Sequence, residues 1–108
     1  VVIASDTYDT DAIYSGFITQ SGTGGNSQLP LGWTVTKLAT GKYKITHNLN
    51  LADEKDLHVV ANLHGQDNEP VGWRIHTQGV TVDKFVIHID DLTLTPVDDA
   101  FYFVAIRI

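Results

Sequence analysis

The 108-residue sequence predicts an all-β protein, an antiparallel β-sandwich of jelly-roll type with about eight short strands. Three observations lead there. Apolar residues recur with period two in nearly every segment, and none holds the i, i+3, i+4, i+7 pattern over a helical length. Turn chemistry separates these segments at roughly ten-residue intervals. The closing segment, Phe101 to Ile108, is apolar on both faces, as a central strand covered on both sides reads.

Taken in order, the chain begins with a flexible acidic leader over residues 1–11, carrying Asp6, Asp9 and Asp11. Ile13 to Thr19 alternates Ile13, Ser15 and Phe17 against Tyr14, Gly16 and Ile18 and predicts the first strand. Gln20 to Gln28 is polar and glycine-rich, a loop. Trp33 and Val35 alternate with Thr34 and Thr36, the chain reverses at Leu38-Ala39-Thr40-Gly41, and Tyr43 and Ile45 alternate with Lys42, Lys44 and Thr46. That is a hairpin with one apolar face, and Gly41 can take the positive φ such turns often need. Asn48 to Asp56 is a connection with room for one helical turn at Ala52 to Lys55. Leu57 to His64 alternates Leu57, Val59, Ala61 and Leu63 against His58, Val60, Asn62 and His64. Gly65 to Gly72 is turn chemistry throughout, and Trp73 to Gln78 is a short strand. Val80, Val82, Phe85, Ile87 and Ile89 form one or two further strands, broken near Asp83-Lys84 where the alternation changes phase. Pro96 and Asp98-Asp99 precede the last strand.

Composition narrows the function classes. One domain of this size holds one core. The formal net charge is -6, with no Lys/Arg cluster along the sequence, so nucleic acid is not an expected partner. No apolar run approaches the roughly 20 residues of a membrane helix, and no membrane insertion is expected. Cysteine is absent, which removes disulfides, thiolate zinc sites and cysteine nucleophiles. Methionine is also absent and the first residue is Val1, which reads as a piece of a longer chain.

The glycine-rich loop, Gly32-Trp33, the TGKYKITHNL strand from Thr40 with its ending His47-Asn48-Leu49, the VVAN strand and the terminal DDAFYFVAIRI together resemble the C-terminal head domains of bacteriophage tail fibres and virion spikes. They are more distantly similar to the trimeric jelly rolls of the complement C1q and tumour necrosis factor class. The resemblance implies a homotrimer at the tip of a fibre, extracellular on the virion, that adheres to a host cell-surface glycan or protein receptor. The His-X-His metal-binding repeats of some long fibres do not occur here, and no cofactor or metal is expected.

His58 and His64 share a strand face, but six residues of extended chain separate their Cα atoms by roughly 20 Å, too far for one ion. Asp6, Asp9 and Asp11 lack the glycine and bidentate Glu of a calcium loop. Asp90-Asp91 and Asp98-Asp99 are sequence neighbours that point to opposite faces on a strand, which suits turns better than paired glycosidase carboxylates. No serine sits in a nucleophile elbow, and no enzyme is expected. Trp33 reads as core. Trp73 follows Gln66, Asp67, Asn68 and Glu69 and precedes Arg74 and His76. An indole bordered by amides and charges is the composition of a sugar site, with Trp73, Arg74, His76, Gln66, Asp67 and Asn68 as candidate ligand-binding residues. The competing reading packs Trp73 inward. Two other functions stay open: a trimerisation or assembly cap, and a carbohydrate-binding module of a larger hydrolase.

Overall fold

The computed structural model describes residues 13–22, 27–64 and 73–108. They form seven strands: β1 Ile13–Ile18, β2 Thr34–Ala39, β3 Lys42–Thr46, β4 Leu57–Leu63, β5 Arg74–Gln78, β6 Lys84–Asp90 and β7 Phe101–Arg107. All pairings are antiparallel, in a three-stranded sheet of order β1-β7-β4 and a four-stranded sheet of order β2-β3-β6-β5. The chain crosses between sheets at β1–β2, β3–β4, β4–β5 and β6–β7, and its first and last strands are paired, as in a jelly roll. The sandwich expected from the sequence is therefore present. Among the described residues it has seven strands instead of about eight, because Val80 to Asp83 turns rather than extends. Thr81 Oγ1 donates to Asp83 Oδ1 at 2.9 Å and lies 3.3 Å from the Lys84 amide, a side-chain turn that competes with a strand ladder.

The β2–β3 hairpin reverses at Thr40 and Gly41, and its register shifts between Lys37 and Ala39, so Leu38 is an extra residue in β2. Gly41 has φ of 70°, and a Cβ there would meet the Ile89 carbonyl at 2.5 Å. Its amide donates to Asp98 Oδ1 at 2.7 Å, and Lys37 Nζ lies 3.1 Å from Asp98 Oδ2. One carboxylate thus anchors the hairpin to the β6–β7 connection. The helical turn expected at Ala52 to Lys55 is a 3-10 turn at Glu54–Asp56, where the Asp53 side chain caps the Lys55 amide at 2.8 Å.

The inner faces meet in one core. Tyr43, Ile45, Phe85, Ile87 and Ile89 come from the four-stranded sheet, and Ile18, Leu57, Phe101, Phe103 and Ala105 from the three-stranded one. Burying each large apolar side chain contributes about 1.5–3 kcal/mol. Trp33 is buried as expected and stacks on Phe103 at 5.7 Å between ring centroids. Gly16 lies under the Phe103 ring, where a Cβ has no room, which accounts for glycine inside β1.

The two outward faces differ. Outside the three-stranded sheet, Ile13, Val104 and Ile106 line up across the β1–β7 and β7–β4 ladders with Val60 and Tyr102, and all five are exposed. Outside the four-stranded sheet the corresponding residues are mostly polar and charged: Thr34, Thr36, Lys42, Lys44, Thr46, Lys84, His88, Asp90, Arg74, His76 and Gln78, with Val86 apolar among them.

Candidate functional site

Trp73 stands one residue ahead of β5 and is half-buried, in phase with half-buried Ile75. It lines a shallow pocket of about 190 Å³ with Asp91, Leu92 and Thr93. Asp91 shapes the facing wall: its Oδ1 accepts from the Thr93 amide and hydroxyl, both at 2.8 Å, and from the Thr95 amide at 3.0 Å. These bonds hold the Asp91 carboxyl below the usual carboxylate range. This is the turn role expected of Asp91. Leu92 is 70% exposed and Leu94 63% exposed, and Leu94 has φ of 68°, a left-handed conformation unusual for a branched side chain. Leu92 therefore stands beside an indole, a surface able to cover the C–H face of a sugar ring while Asp91 and Thr93 meet its hydroxyls.

Arg74 and His76 are exposed and lie in the next register rows of β5, on the face away from Ile75. Arg74 lies 3.7 Å from Asp90, and His76 faces His88 across the β5–β6 ladder at 5.3 Å between ring centroids. The six sugar-site candidates thus divide. Trp73 lines the pocket, whereas Arg74 and His76 open the polar sheet face next to it. Gln66, Asp67 and Asn68 lie outside the described residues, as do the acidic leader with Asp6, Asp9 and Asp11 and part of the glycine-rich loop.

The remaining histidines occupy separate surroundings. His58 and His64 are exposed toward the outer side of the three-stranded sheet, and His64 packs against Phe17 and Tyr102 at 5.2 and 5.4 Å. His47 is buried, and its Nδ1 accepts the Leu49 amide at 3.0 Å just past the end of β3. Among the described residues no three His, Asp or Glu side chains converge as metal ligands, and no helix is long and apolar enough to cross a membrane.

The Leu92–Leu94 loop tip and the cationic sheet face were not singled out from sequence. The second had a signal: Lys42 and Lys44 alternate with Tyr43 and Ile45, and Arg74 and His76 alternate with Ile75, so the basic positions share one parity. Comparison with protein-family models, characterised proteins and solved structures finds no match to this chain.

Proposed function

We propose that this chain is a receptor-binding head domain of a phage tail fibre or virion spike, assembling as a homotrimer and holding a host cell-surface glycan or protein receptor without chemistry on it. Its place would be extracellular, at the tip of the virion. The observation that carries the reading is the apolar outer face of the β1-β7-β4 sheet. Ile13, Val60, Tyr102, Val104 and Ile106 form an exposed apolar strip, bordered by Ser15, His58 and Asn62, on a domain that has a separate buried core. A soluble chain that exposes such a face has a use for it, and copies of itself around a symmetry axis are the simplest cover. The Trp73 pocket supports the second half of the reading, since it is loop-borne, shallow and open to a ligand held by stacking.

Trp73→Ala tests it. Cell binding should be lost while oligomeric state and melting temperature stay nearly unchanged. Retained cell binding would move the receptor site elsewhere, and a trimer that binds neither cells nor a glycan array would make the domain an assembly cap.

A further inference from the structure

We propose that the outer face of the β2-β3-β6-β5 sheet docks a linear acidic glycan, a sugar chain carrying anionic groups along its length. This deepens the receptor-binding reading and rests on it, naming the chemical class of receptor. The chain carries a formal net charge of -6 and only 7 Lys and Arg residues. Four of them, Lys42, Lys44, Lys84 and Arg74, lie on this single face, where Asp90 is the one carboxylate among the described residues. Charge is therefore segregated against the balance of the whole molecule.

The ladder fixes how these groups are arranged. Lys84 pairs with Thr46, Lys44 with Val86, Lys42 with His88, His88 with His76, and Arg74 with Asp90. With about 3.4 Å per residue, the diagonal from Lys84 to Arg74 runs three two-residue steps, about 20 Å, and crosses strands roughly 4.8 Å apart. Lys42, Lys44 and Lys84 make no ion pair among the described residues, and Arg74 is paired loosely, at 3.7 Å. Thr46 sits beside Lys84, and Thr34 and Thr36 on edge strand β2 and Gln78 on edge strand β5 flank the cations, offering neutral donors and acceptors that suit hydroxyls. The stripe ends at Arg74, one residue from Trp73, which is in phase with half-buried Ile75 and not with the stripe.

The same surface argues against nucleic acid as the polyanion. Among the described residues it carries no Trp, Tyr or Phe on which bases could stack. His88 gives the site a reporter. Burial first, then the nearby Lys42 on β3 and His76 on β5, lower its pKa, with Asp90 on its own strand acting weakly the other way. An anion bound among these groups reverses that bias.

Titration of the intact chain with polysialic acid, hyaluronan and heparin, with neutral dextran and a single-stranded dT oligonucleotide as controls, tests the proposal. At least one acidic glycan should bind, with affinity that falls as salt rises. Combined Lys42→Gln, Lys44→Gln and Lys84→Gln substitution should weaken it about tenfold or more at unchanged melting temperature, and the His88 resonances should titrate at higher pH when the glycan is bound. Failure to bind any of the three, tighter binding to the oligonucleotide, or equal affinity in the triple variant overturns the proposal. If the triple variant binds cells normally while Trp73→Ala does not, the acidic-glycan inference falls and the receptor reading stands. If both bind normally, both fall.

Discussion

His47 sits where β3 ends, buried between the rings of Trp33 and Phe85, at 5.6 and 6.3 Å. Burial is the main force on its imidazole and pushes the pKa below 6.5, with Asp83 pulling less strongly the other way. Below that value the unfolded chain takes up a proton that the folded chain resists. Stability therefore rises with pH across the window and is lost as pH falls from 6.5 through the folded value, and His88 contributes with the same sign. The expected outcome is a melting temperature that drops between about pH 7 and about pH 5. His47→Gln should flatten that slope, at a cost near 1 kcal/mol at neutral pH for the altered strand-end bond, and calorimetry across pH checks both. At Ile45 and Lys44 the contrast is one of packing. Ile45 is fully buried and Lys44 lies on the outer face, so Ile45→Ala should cost about 2–5 kcal/mol and Lys44→Ala almost nothing in a denaturant titration.

The β2–β3 hairpin was legible because the signals agreed: alternation over Trp33 to Thr36 and Lys42 to Thr46, a glycine at the turn, and aromatic and β-branched residues on one side, while the extra residue at Leu38 carried no signal of its own. The structure adds why the glycine is needed. Gly41→Ala would combine a left-handed backbone with a Cβ pressed on the Ile89 carbonyl, and should lower stability by at least about 2 kcal/mol. Equal stability of that variant would mean that the turn can rearrange. Legibility failed where side-chain bonds override pattern. Val80 and Val82 carry strand propensity, yet the Thr81–Asp83 turn takes their backbone out of the ladder. The Trp73 cluster was half legible for a related reason. Sequence proximity placed Trp73, Arg74 and His76 together, whereas the period of a strand divides them, and the wall facing Trp73 comes from Asp91 to Thr93, some twenty positions away, which no local pattern announces.

Across the whole molecule the two sheets are asymmetric in a way the last strand already foretold, since FYFVAIRI is apolar on both sides while only Phe101, Phe103 and Ala105 are buried. Tyr102, Val104 and Ile106, at 48%, 39% and 38% exposed, face outward beside Val60 at 59%. A central strand so composed gains from a second apolar layer, and three copies meeting at this face would supply one while leaving the four-stranded sheet and the Trp73 pocket of each copy free. Light scattering should therefore give a trimer at micromolar concentration, and a monomer would sink the assembly. Val104→Glu places a carboxylate in the middle of the face without touching the core, so it should dissociate the trimer and leave the sandwich folded. On the proposed reading, with receptor contacts that are each weak alone, separation into single copies should reduce cell binding about a hundredfold or more, while binding of one head to a soluble oligosaccharide stays the same. Equal losses in both assays would instead show that the face itself carries the receptor site.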